Sequence, residues 1–229
     1  MNEVLPIDAA EKPRALAIRP CPGRTRPFYA FWSGAIRLAS RPYLRATIDH
    51  PERIPATGPV LILPTHTSFL DPPLLGGFLP RETWFLARES ILRTPLVGWL
   101  SRHLNAHPLR RGAGDREAIR ACLAILRAGW PLVFFPEGTR SASGTLGPIQ
   151  AGFAMILDKL PGVPYVPVVM QDTFRAWRRG WLLPRPCRVR IHVGEAAHLS
   201  PRAAGESTRE YFERCGRELE VRWRNLGAR

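Results

Sequence analysis

Two short segments carry residue types able to do chemistry. The first is His66-Thr67-Ser68-Phe69-Leu70-Asp71, an imidazole followed five positions later by a carboxylate. A histidine works as a base when a carboxylate holds one ring nitrogen, because this fixes the tautomer and stabilises the imidazolium as it forms. On a regular helix five positions turn through ~500°, leaving the side chains roughly 140° apart. The two groups meet only if a turn precedes the helix, and Pro64 with Asp71-Pro72 supplies the chemistry for one. From these residues alone another reading stays open, in which Asp71 caps a helix and His66 lies on the surface. The second segment is Phe134-Phe135-Pro136-Glu137-Gly138-Thr139-Arg140-Ser141. Gly138 permits close backbone approach, Thr139 and Ser141 supply hydroxyls, and Arg140 can grip a phosphate through two N–H groups. Without a ligand it is equally an ordinary Pro-Glu-Gly-Thr turn.

Both segments follow short apolar runs. Val60-Leu61-Ile62-Leu63 and Pro131-Leu132-Val133-Phe134-Phe135 are continuous and uncharged, as strands buried on both faces are. A loop just beyond such a strand is a common seat for catalytic groups. Further strands are expected at Trp84-Phe85-Leu86-Ala87, at Tyr165 to Val169, and at the alternating stretch Arg188 to Val193. The stripe Ile119, Cys122, Leu123, Leu126, with Asp115 before it and Gly129 after it, predicts a helix over 115–128. Helices are also expected over 94–104, 149–160 and 208–225, and Asp71-Pro72 opens another. Strands alternating with helices place the chain in the α/β class: a single domain with a mixed, mostly parallel sheet flanked by helices. Before it, residues 1–27 carry scattered prolines and no periodicity and read as a flexible tail. Over 28–46, Phe28, Phe31, Trp32, Ala35 and Ile36 recur at helical spacing beside Arg37, Arg41 and Arg45. That pattern suits an amphipathic helix in contact with a membrane, and equally a helix packed on its own core. The body of the domain is then 47–229.

Composition bounds the partners. The 33 Lys+Arg exceed the 19 Asp+Glu to give a net charge of +14, which attracts polyanions: nucleic acid, anionic lipid headgroups or phosphorylated substrates. The arginines are dispersed, and no helix-turn-helix, zinc-finger or RNA-recognition signature is visible, so nucleic acid is not expected. Cys21, Cys122, Cys187 and Cys215 form no C-x-x-C pair and read as reduced cytosolic thiols. His103 and His107 have helical spacing, but Pro108 and the lack of a neighbouring carboxylate argue against a metal site. No signal-peptide order is present, and the apolar stretches fall short of the ~20 residues of a spanning helix, so membrane contact is expected to be peripheral. Trp177, Arg178, Arg179 and Trp181 interleave aromatics with arginines, as a headgroup interface or a basic surface loop does. Ser68 lacks the G-x-S-x-G elbow of a hydrolase nucleophile.

The two motifs together resemble the first and third blocks of the glycerolipid acyltransferases, the family of the 1-acyl-glycerol-3-phosphate acyltransferases. That family shows a His-x4-Asp box and, further on, a Phe-Pro-Glu-Gly-Thr-Arg-Ser box. Val163-Pro164-Tyr165-Val166-Pro167-Val168 resembles its proline-bearing block, and His107-Pro108-Leu109-Arg110-Arg111 stands in place of its second. Thr65 stands where Asn is common, Asn105 where Gly is, and His107 where an aliphatic residue is. The resemblance implies an O-acyltransferase needing no cofactor, with acyl-CoA or acyl-carrier protein as donor. The acceptor is a lysophospholipid, most simply lysophosphatidic acid; the altered second block leaves an amino-acid-derived lipid or a glycolipid as the alternative. His66 and Asp71 are then the catalytic base and its partner, with a backbone N–H near the His66 turn for the oxyanion. Arg111 and Arg140 bind the acceptor's phosphate, and Glu137, Gly138 and Thr139 belong to the same substrate site. The resemblance further implies an enzyme seated peripherally on the cytoplasmic face of an anionic membrane.

Overall fold

The computed structural model describes residues 18–21, 25–109, 114–178 and 180–229. Along the chain run α1 (Pro27–Leu44), β1 (Thr47–Asp49), a 3-10 turn (Pro51–Arg53), β2 (Val60–Pro64), α2 (Asp71–Phe78) and β3 (Trp84–Arg88). These are followed by α3 (Glu89–Leu92), α4 (Pro95–His103), β4 (Ala106–Leu109), α5 (Gly114–Arg127), β5 (Pro131–Val133) and α6 (Gly152–Asp158). The chain closes with β6 (Tyr165–Gln171), α7 (Thr173–Ala176), β7 (Arg190–Val193) and α8 (Thr208–Asn225).

Among the described residues the strands form one seven-stranded sheet in the order β1-β7-β6-β2-β5-β3-β4. Every pairing is parallel except β6 with β7. The expected mixed, mostly parallel α/β sheet is therefore present. All five residues of β2 are buried, as a central strand covered on both faces requires. Its side chains alternate between two cores. Leu61 and Leu63 join Cys122, Leu126, Phe153, Ile156, Leu219 and Trp223 on the side of α5, α6 and α8. Val60 and Ile62 join Leu74, Leu75, Phe78, Phe85 and Ile191 on the side of α2. The two apolar layers fix β2 and β5 as neighbours, so the loops that follow them leave the same edge of the sheet.

α1 packs against α2. Ile36 lies so close to Gly77 that a Cβ there would fall 2.7 Å from its Cγ2, and the Arg37 guanidinium donates to the Gly77 carbonyl from Nε and Nη2 at 3.0 and 2.8 Å. Tyr29 and Leu44 are buried, whereas Phe31 and Leu38 on the outer face are 67% and 75% exposed. The helix thus carries both a core face and an apolar solvent face. No described helix is long and apolar enough to cross a membrane.

The described end of the segment read as a tail is tied down. The Arg19 and Arg26 guanidiniums donate to Glu82 at 2.9 and 2.7 Å, the Arg26 backbone N–H at 2.8 Å, and the Trp130 indole donates to the Arg19 carbonyl. Asn105 joins this network, donating to Glu82 and accepting from Arg26. Its φ of 61° is a left-handed conformation that asparagine tolerates, which accounts for an Asn where the resemblance expects Gly. Residues 1–17 lie outside the described residues.

Candidate functional site

The His66 turn leaves the carboxyl end of β2 and runs straight into α2. Asp71 is the first residue of that helix, not its N-cap, and its carboxylate reaches back into the turn instead of onto its own helix. One oxygen, Oδ2, accepts from His66 Nδ1 at 2.9 Å and from the Thr67 and Ser68 backbone N–H groups at 2.8 Å each. The five-residue separation is bridged because the intervening chain folds around the carboxylate rather than continuing as helix. Asp71 is fully buried and the His66 side chain is 16% exposed. With Nδ1–H donated to Asp71, the lone pair belongs to Nε2, which makes no hydrogen bond among the described residues. The ring is held flat against Phe135, centroids 4.0 Å apart and planes 29° from parallel. This is the geometry of an oriented general base.

The second motif is fastened to the first. Glu137 Oε1 accepts from the His66 backbone N–H at 2.7 Å, Oε2 accepts from the Gly147 N–H at 2.9 Å, and the Ser141 N–H donates to the His66 carbonyl at 2.8 Å. Gly138 turns the chain at φ 68°, in the left-handed region a side chain disfavours. Glu137 is 5% exposed, and burial pushes its carboxyl above the usual carboxylate range against the pull of its two N–H donors. Glu137 thereby joins the loop of the second motif to the His66 turn and to Gly147. Gly138 and Thr139 are exposed on the rim. The Arg140 guanidinium lies over the Phe69 ring, 3.3 Å from its centroid, and so stands between the two motifs. Arg111 lies outside the described residues.

The N–H groups of His66, Thr67 and Ser68 are each already engaged by a carboxylate, so none of these three is open to a developing oxyanion. Ser68 is fully buried, and its hydroxyl donates to the Trp177 carbonyl at 2.7 Å, which leaves it no nucleophilic role. Thr65, in the position where Asn is common, accepts the Met170 N–H from β6, and Thr67 shares a hydrogen bond with Thr173. The contacts of Phe135, Thr173 and Trp177 with the His66 turn have no signal in the sequence. Their partners lie far along the chain, and no local pattern announces them.

A second imidazole–carboxylate pair serves as contrast. His192 Nδ1 lies 3.1 Å from Asp49, but its Nε2 is 3.0 Å from Gln171, so neither nitrogen is open to a substrate. Among the described residues no cluster of three or more His, Cys, Asp or Glu is placed to hold a metal ion.

Replacing Glu137 with Gln sets an amide N–H₂ against a backbone N–H at one of its two contacts. Leaving buried donors unsatisfied costs on the order of 2 kcal/mol. Displacing the imidazole by a fraction of an ångström lowers kcat by ~10–100-fold. Paired measurements of Tm and kcat should show both losses; a variant with wild-type kcat contradicts the bracing role.

Residues 45–171 match the sequence profile of a protein family described as acyltransferase. The chain is 32% identical over 135 residues to the chloroplastic 1-acyl-sn-glycerol-3-phosphate acyltransferase BAT2 of Brassica napus, covering 58% of this chain and 39% of that protein. It thus spans about two fifths of the length of that relative. It is 38% identical over 89 residues to a lyso-ornithine lipid O-acyltransferase of Pseudomonas aeruginosa, covering 38% of this chain and 34% of that protein. The crystal structure of the 1-acyl-sn-glycerophosphate (LPA) acyltransferase PlsC from Thermotoga maritima superposes with a TM-score of 0.64 at 25% identity, over 87% of this chain and 88% of that one.

Proposed function

The chain belongs to the acyltransferase family, and we propose that it moves a fatty acyl group from acyl-CoA or acyl-carrier protein to the free hydroxyl of lysophosphatidic acid, yielding phosphatidic acid. The observation that carries this reading is the 2.9 Å bond from His66 Nδ1 to buried Asp71, which leaves Nε2 open at the carboxyl edge of the sheet. Nε2 takes the acceptor's hydroxyl proton as the oxygen attacks the thioester carbonyl. Collapse of the tetrahedral adduct breaks the C–S bond, and the imidazolium returns the proton to the leaving thiolate. Asp71 stabilises the imidazolium between these events. The transfer is direct, and Ser68, two residues from the base, is buried and bonded to the Trp177 carbonyl. Arg140, held against Phe69, binds the acceptor's phosphate together with Arg111, and Gly138 and Thr139 line the rim of that site. The protein works as a peripheral enzyme on the cytoplasmic face of an anionic membrane.

A lyso-ornithine acceptor is the second reading, favoured by the similarity to the Pseudomonas relative. The purified protein, given radiolabelled acyl-CoA and a panel of lysophosphatidic acid, lyso-ornithine lipid and a lysoglycolipid, should place label in phosphatidic acid. Label in another product with none in phosphatidic acid overturns the first reading. Arg140→Ala should raise KM for lysophosphatidic acid by ~10–100-fold with a smaller change in kcat, as loss of a charge-assisted phosphate contact does. An unchanged KM removes Arg140 from the acceptor site.

A further inference from the structure

The chain after α7 carries features that the transfer chemistry does not use. Leu182 and Leu183 are consecutive in the chain and are 90% and 72% exposed, which places them among the most exposed large apolar residues described. Beside them lies an open recess of about 330 Å³ walled by Arg175, Arg178, Arg185, Trp181 and Phe174. The Arg178 and Arg185 guanidiniums flank the Trp181 ring at 4.6 and 4.0 Å from its centroid. Among the described residues the carboxylate that meets this set is Asp172, 3.7 Å from Arg175. Two bare leucines beside three exposed arginines and a tryptophan match the layers of an anionic bilayer, apolar chains below and phosphates above.

The segment is also wired to the catalytic turn. Ser68 Oγ donates to the Trp177 carbonyl, Phe69 packs against Trp177 with centroids 5.6 Å apart, and the Trp177 indole donates to the Trp181 carbonyl at 2.9 Å. On its far side the Tyr43 hydroxyl donates to the Pro184 carbonyl at 2.9 Å, joining the segment to the helix whose outer face exposes Leu38 and Phe31.

We propose that Trp177 and Trp181–Arg185 form a membrane-docking element distinct from α1: Leu182 and Leu183 enter the acyl–headgroup boundary while Arg175, Arg178 and Arg185 hold lipid phosphates. Seating this element on the bilayer presents the His66 turn to acceptors diffusing in the lipid surface. The inference rests on the proposed function in taking the acceptor to be a lipid and the enzyme to lie on an anionic membrane; binding to vesicles requires no turnover.

Co-sedimentation of the full chain with phosphatidylcholine vesicles, with and without phosphatidylglycerol, tests it. The wild-type protein should partition strongly onto the anionic vesicles. Leu182→Asp/Leu183→Asp should weaken that partition by at least about tenfold, with Tm unchanged and turnover of a soluble short-chain lysolipid retained. Arg178→Ala/Arg185→Ala should weaken binding to the anionic vesicles while KM for acyl-CoA stays as in the wild type. Undiminished sedimentation of the leucine variant overturns the proposal. So does an arginine variant whose KM for acyl-CoA rises while its vesicle binding is unchanged, because the recess then serves the donor's phosphates. Vesicle binding by a protein that acylates no lysolipid would leave the docking element standing and remove the proposed acceptor.

Discussion

His66→Ala is expected to lower kcat for acyl transfer by ~10³-fold or more while leaving the fold in place. General-base catalysis by a positioned side chain contributes ~10²–10⁴-fold, and no other described group at this edge of the sheet pairs an open nitrogen with a buried carboxylate. The structural consequence is small for a specific reason. Asp71 Oδ2 still accepts the Thr67 and Ser68 N–H groups, and the His66 backbone remains held by Glu137 and Ser141. The losses are one side-chain hydrogen bond and the stack on Phe135, about 1–2 kcal/mol together. Circular dichroism and thermal unfolding should therefore show a folded protein, and initial rates should show an inactive one. Retention of more than a tenth of the wild-type rate would show that the mechanism is wrong.

Substitutions at Asp71 are expected to separate charge from architecture. The carboxylate is fully buried and concentrates three donors on Oδ2, while Oδ1 has no hydrogen-bond partner among the described residues. Asparagine can keep its oxygen where Oδ2 stands and place the amide nitrogen at the Oδ1 position. Asp71→Asn thus preserves much of the turn but removes the negative charge that stabilises the imidazolium, and kcat should fall by ~10²–10⁴-fold with a modest loss of Tm. Asp71→Ala leaves the buried turn donors without their acceptor, at a cost of about 3 kcal/mol or more. Its Tm should fall well below that of the Asn variant. Equal activity in Asp71→Asn and the wild type contradicts the account, as does equal Tm in the Asn and Ala variants.

The elements that hold this site differ in how plainly the chain announces them. β2, β5 and β6 are short uncharged runs, and burial of both faces demands that composition, so they stand out. α8 spans Thr208–Asn225 as expected, its start fixed by the Ser207–Glu210 capping box. β4 is concealed in the sequence for a physical reason. Pro108 interrupts it, and proline is tolerated in a strand only at an edge or bulge, so its edge position had to be known before it could be read as a strand. β1, three residues between a helix and a proline-led turn, carries no pattern long enough to show. The reversed direction of β7 against β6 depends on the route of the intervening loop, which leaves no periodic mark.

The site divides in the same way. Residue types and spacing name His66 and Asp71, but the role of Asp71 as a hub for the preceding turn emerges only when the chain folds back on it. Glu137 is conspicuous in its motif, yet its partner at His66 lies 71 positions upstream and no local rule connects them. Asn105 reads in the sequence as a departure in the second block, and its side chain binds Glu82 and Arg26 in the network that anchors the start of α1.

The central claim is that His66 presents an unprotonated Nε2 because Asp71 holds the proton on Nδ1, and nitrogen-15 NMR of the histidine rings observes this directly. With His66 assigned by comparison with a His66→Gln protein, a mildly alkaline sample should show a protonated, hydrogen-bonded Nδ1 and a bare Nε2, and Asp71→Ala should abolish that preference. A wild-type ring carrying its proton on Nε2, or one indifferent to the loss of Asp71, contradicts the account.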